Sequence, residues 1–174
     1  MADLKLIPIA TIAGKVESDK FKLEFIHTPG HSPDHLCFIE KNRGWLFCGD
    51  LYVHSYIRYF MSNEDMDEQI TSLHKILEYD FEVLFCSHNP QLKEGRQRMK
   101  EKLAYLEDFY GKVSMYYYEG LAKDAIMHRM NHRENKLLKY LSGGRLSAKN
   151  MISSVVQTEQ KKLFKSILTE NLIE

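Results

Sequence analysis

The stretch Thr28-Pro29-Gly30-His31-Ser32-Pro33-Asp34-His35 decides how this chain is read. Before it, Phe21-Lys22-Leu23-Glu24-Phe25-Ile26 alternates apolar and polar residues, the pattern of a half-buried strand. After it come Leu36-Cys37-Phe38-Ile39 and Trp45-Leu46-Phe47-Cys48, then Gly49-Asp50. Pro29 has no N–H for a sheet ladder and Gly30 tolerates positive φ, so the chain must turn here. The turn delivers His31 to a strand end. Asp50 and His88 sit at equivalent places, after residues 45–48 and after Val83-Leu84-Phe85-Cys86-Ser87. Two imidazoles and a carboxylate at the C-terminal ends of apolar strands suggest a metal site, because these are donor types that zinc accepts.

Taken together, T-P-G-H-S-x-x-H, a hairpin ending in G-D, a helix, and a strand ending in S-H-N resemble the metallo-β-lactamase superfamily, over residues 4–90. The resemblance implies an α/β (α+β) fold. The chain would be half of an αββα sandwich followed by a helical C-terminal tail. It further implies that His31, Asp50 and His88 are catalytic metal ligands, with Asp50 bridging two zinc ions. The family's H-x-H-x-D-H motif, which carries the remaining ligands, is absent from the eight histidine positions 27, 31, 35, 54, 74, 88, 128 and 132. Residues 1–91 are therefore expected to be the C-terminal half of such a domain, and 92–174 a helical extension. By the same resemblance, Tyr52 and His54 in the loop at 51–60, and Asn89, would shape a pocket for a small-molecule substrate. Activity would be metal-bound hydroxide attacking an ester, thioester, lactone or phosphodiester, weak or absent in this chain alone. Zinc would bind weakly or at single occupancy, and His35 would support the site from behind. A non-catalytic interaction module is the competing class.

Composition excludes little. Hydrophobic residues make up 44% and charged residues 28%, and formal net charge is zero, so no global field steers the chain to nucleic acid or membrane. Charge is uneven: from Gly120 onward there are ten Lys/Arg against five Asp/Glu. That basic tail keeps a nucleic-acid-binding relative as a further alternative, but scattered cations on amphipathic helices usually mark a solvated face, so nucleic acid is not the expected partner. Cys37, Cys48 and Cys86 lie in apolar strands, an odd number that argues for reduced thiols and a cytoplasmic setting. No apolar run approaches the ~20 residues of a membrane span.

Along the chain, residues 4–12 read as a first strand and 16–20 as polar connection. Residues 36–40 and 45–48 form a hairpin around Asn42 and Gly44. Ser62 is expected to cap a helix whose inner face carries Met66, Ile70, Leu73 and Leu77, with His74 solvated. Residues 82–86 read as a strand buried on both faces. A long helix from Leu92 carries Met99, Leu103, Leu106, Tyr110, Val113 and Tyr117 and ends at Gly120. Shorter helices follow over 121–130 and 134–141, and His128 and His132 read as a surface pair. Ser147 caps a last helix with Met151, Ile152, Val155, Val156, Leu163, Phe164 and Ile167 inside. With half a sandwich missing, one sheet face would be bare, so a homo-oligomer through it is expected unless the tail covers it.

Overall fold

The computed structural model describes residues 14–170, so the strand expected over 4–12 lies outside the described residues. The elements are β1 (Lys15–Glu17), β2 (Lys22–His27), β3 (Leu36–Glu40), β4 (Trp45–Gly49), β5 (Phe60–Met61), α1 (Met66–Ile76), β6 (Val83–Cys86), α2 (Gly95–Tyr118), α3 (Lys123–Arg129), α4 (Lys136–Leu141), β7 (Leu146–Ser147) and α5 (Ala148–Glu170). β1 takes up the start of the expected polar connection, and Ser18 to Phe21 remain a turn. It pairs antiparallel with β2, which can use polar residues because all three β1 side chains are exposed on an edge strand.

The sheet runs β1-β2-β3-β4-β6, antiparallel except for β4 and β6, which are parallel and joined by a crossover through α1. One face presents Ile26, Cys37, Ile39, Leu46, Cys48 and Leu84 to a core shared with Met66, Leu73, Met99 and Leu106 of the helices. The same core takes in Met151, Ile152, Val155 and Val156 of α5, which packs on α1, α2 and α3. The opposite face carries a cross-strand row, Phe25↔Phe38↔Phe47↔Phe85, one phenylalanine from each of β2, β3, β4 and β6. Phe25 meets Phe38 edge to face at 4.9 Å, and Phe47 stacks on Phe85 at 4.8 Å.

Several local expectations change. α1 is capped by Asp65, whose carboxylate accepts from Glu68 N at 3.1 Å, and not by Ser62. Ser62 lies in the turn before the cap, the same turn from which Glu64 reaches His31. Val83, Phe85 and Cys86 of β6 are only half-buried, since among the described residues the helices pack on one face of the sheet. Only the first half of α5 is inside; Leu163, Phe164 and Ile167 are exposed, Phe164 by 65%, because the helix outruns the elements it packs on. His132 is not a surface group: it packs edge to face on Phe109, and burial lowers its pKa. His74 is exposed, as expected, and bonds Glu107 at 2.8 Å.

Candidate functional site

Strand direction assembles the site. β2 and β4 are each antiparallel to β3, and β6 is parallel to β4, so β2, β4 and β6 point the same way. The turn after β2, the residue after β4 and the loop after β6 therefore emerge at one sheet edge. The β4–β6 register shifts between Phe47 and Gly49, and Ser87 N donates to Gly49 O at 3.2 Å, which sets His88 beside Asp50. The His31 turn is seated on the start of α1: Asp65 N donates to Gly30 O at 2.8 Å and Ser72 Oγ to Pro29 O at 2.7 Å. Gly30 has φ +124°, and a Cβ there would lie 2.8 Å from Gln69 Cα, so glycine is what allows this close approach.

His31 and His88 face the two oxygens of one carboxylate. His31 Nε2 is 3.6 Å from Asp50 Oδ2, and His88 Nε2 is 3.2 Å from Asp50 Oδ1. Asp50 Oδ1 is buried and takes no hydrogen bond. On its other side, His31 donates from Nδ1 to Glu64 Oε1 at 2.6 Å, and this bond is the main reason its pKa is raised. Glu64 was legible in the sequence only as an acid at a helix start; no local signal ties it to a histidine 33 positions away. Lys102 was likewise missed. It is 1% exposed, donates to Leu51 O, and its pKa is lowered to about 8 by burial, partly offset by Glu64, Cys48, Cys37 and Asp50.

His35 stands behind the site. Its Nδ1 is 2.8 Å from Thr28 Oγ1, its ring meets that of His31 edge to face at 6.0 Å, and burial lowers its pKa. Burial pushes the Cys37 thiol up to about 12 and the Cys48 thiol higher still, so both are inert core groups. Cys86 Sγ accepts from Asn89 N at 3.1 Å.

A cleft of about 660 Å³ opens over His31, Asp50, His88, Glu64 and Lys102. His54 lines it. Tyr52 does not: it is 2% exposed in the core, its hydroxyl 3.2 Å from Ser55 Oγ, because the chain after Asp50 folds inward before emerging at Val53. Asn89 also lies off this cleft, in a neighbouring depression with Gln91, whose side chain donates to Asn89 Oδ1 at 3.0 Å. Tyr52 and Asn89 thus border that neighbouring depression, as His54 also does, and not the cleft over Asp50.

The donors at the sheet edge are of the kind zinc takes, and a carboxylate set between two imidazoles, with one buried oxygen left unbonded, is what one side of such a site requires. They do not make a whole site. Among the described residues no group of three or more His, Cys, Asp or Glu gathers as a metal centre.

This fold and strand-edge constellation have counterparts among known proteins. Residues 5–88, just under half of the chain, match the model of the metallo-beta-lactamase superfamily. It is similar to the lactamase-like protein aptB of Emericella nidulans, 27% identical over 86 residues, covering 49% of this chain and 26% of that one. It is also similar to an atrochrysone carboxyl ACP thioesterase of Aspergillus fumigatus, 28% identical over 78 residues, covering 45% of this chain and 24% of the relative. The chain thus spans about a quarter of the curated relatives it matches. Among solved structures, the inverting sec-alkylsulfatase Pisa1 of Pseudomonas sp. aligns with TM-score 0.64 at 16% identity, over 83% of this chain and 25% of that one, a likeness of fold.

Proposed function

We propose that this chain carries one side of a metal-dependent hydrolytic centre acting on a small-molecule ester, thioester, lactone or phosphodiester. The observation that supports it is a single carboxylate, Asp50, faced on its two oxygens by His31 and His88 at the rim of a substrate-sized cleft. A thioesterase among the similar proteins favours the acyl substrates. We also place the protein in the cytoplasm, on its three free cysteines.

A divalent metal such as zinc, held by His31, Asp50 and His88, would supply a bound water of near-neutral pKa. The chain's own residues then have separable tasks. Glu64 holds the Nδ1 proton of His31, so that Nε2 is the nitrogen presented to Asp50. Lys102 pins the carbonyl of Leu51, next to Asp50, and sets a buried positive charge against Asp50 and Glu64. His35 and Thr28 fill the space behind His31.

H-x-H-x-D-H is absent from these 174 residues, so one side alone should bind metal weakly and turn over little. The test is zinc content by mass spectrometry beside a hydrolysis screen, on the 174-residue chain and on a chain extended by a segment bearing H-x-H-x-D-H. Weak zinc binding lost in Asp50→Ala and His88→Ala, with turnover gained only on extension, is expected. Two tightly held zinc ions and turnover in the 174 residues alone would overturn the division of the site. No zinc and no turnover in either would overturn the hydrolase.

A further inference from the structure

We propose that the cleft beside His31, Asp50 and His88 seats the apolar chain of an acyl substrate, an ester or thioester of an aliphatic carboxylic acid, against a wall that the helical extension completes. The proposal rests on the hydrolase reading for its reacting group and on the cleft alone for its chain. Val53, Tyr56, Ile57 and Tyr59 line the cleft from the loop after Asp50, and Met61 from β5. Leu146 lines it from β7, more than eighty positions later in the sequence than Met61, its ladder partner. This wall is built rather than incidental: β5 and β7 form their own antiparallel pair, and Asn150 Nδ2 donates to both Phe60 O at 2.9 Å and Arg145 O at 2.8 Å.

The polar side of the same cleft says what the chain is attached to. Arg58 and Lys102 are the cations of that side, beside the carboxylates of Asp50 and Glu64 and the imidazoles of His31, His54 and His88. Those two cations are the groups that would meet a carboxylate product or the oxyanion that precedes it. A small polar phosphodiester would leave the apolar wall unused. The volume of about 660 Å³ falls in the range of clefts that enclose a whole organic ligand.

Hexanoate, octanoate and decanoate serve as product-like probes, titrated calorimetrically into the metal-free 174-residue chain below their micelle-forming concentrations. Affinity should rise about fourfold per added methylene until the wall is filled, the ratio that corresponds to ~0.8 kcal/mol per buried CH₂. Leu146→Asp and Ile57→Asp should each flatten this ladder, and Leu146→Trp should cut it short, in variants that keep the wild-type unfolding transition. Equal affinity for all three acids, or a ladder unchanged in both Asp variants, overturns the proposal. In the extended chain, equal hydrolysis of acetyl and decanoyl thioesters overturns the acyl wall while sustaining the hydrolase. A full ladder without hydrolysis of either thioester overturns the hydrolase and sustains the wall.

Discussion

Glu64 Oε1 lies 2.6 Å from His31 Nδ1, across the 33 residues that separate the turn after β2 from the start of α1. Glu64 Oε2 meanwhile accepts from Met61 N at 3.3 Å, so the carboxylate ties β5 to the turn that presents His31. The side chains are 28% and 10% exposed, which makes this a partly buried, charge-assisted bond and not a surface pair.

Replacing Glu64 with Gln should cost about 1–2 kcal/mol of stability in the metal-free protein. The pH dependence has a definite sign. The His31 pKa is raised in the fold, so its contribution is complete below the ordinary histidine value of 6.5 and disappears as pH rises through the raised value. The deficit of Glu64→Gln should therefore be largest in mild acid and shrink in alkali. Urea unfolding on both sides of that interval checks it, and a deficit that does not change with pH would contradict it.

Lys102 behaves in the opposite sense. Its pKa falls from 10.5 to about 8 on folding, so between those values the unfolded chain holds a proton that the folded one has released. Stability contributed by this group rises with pH across that window. Lys102→Met should lose the rise, and its stability relative to wild type should fall by on the order of 2 kcal/mol from about pH 8 to the ordinary lysine range. Parallel pH–stability curves for the two proteins would show that Lys102 is not held as described.

Gly30→Ala should destabilise by about 3 kcal/mol or more, since φ +124° and contact with the Gln69 backbone penalise any Cβ together. Gly143→Ala, at φ +61° in open space, should cost only ~1 kcal/mol. Denaturant midpoints of the two variants separate the close approach from the backbone preference. Equal shifts would mean that the seat on α1 is dispensable.

Among the described residues, α5 packs on α1, α2 and α3 and not on the Phe25–Phe38–Phe47–Phe85 row on the far face of the sheet. Self-association through that row remains our expectation, since burying apolar area returns ~25 cal/mol per Å². Sedimentation velocity should show a concentration-dependent species that Phe38→Lys or Phe47→Lys disperses. A wild-type chain that stays monomeric at high concentration would refute it.

Much of this architecture is written in local pattern. Alternation at 21–26 and apolar runs at 36–39, 45–48 and 83–86 specify β2, β3, β4 and β6. Turn chemistry places His31, Asp50 and His88 at strand ends, because Pro29, Gly30 and Gly49 act on their immediate neighbours. Strand direction, and so the meeting of those three at one edge, already follows from a hairpin and one crossover. What only the tertiary structure decides is which distant groups meet them. Glu64 reaches His31 because the turn sits on α1; Lys102 goes under Asp50 although its helix position reads as solvated; Leu146 joins the cleft through the β5–β7 pair. Tyr52 turns inward while Phe164 and Ile167 stay outside, against the patterns of their own segments. Periodicity records that a side chain has an apolar face to offer. Whether another element arrives to cover it depends on long-range packing, which no local window contains.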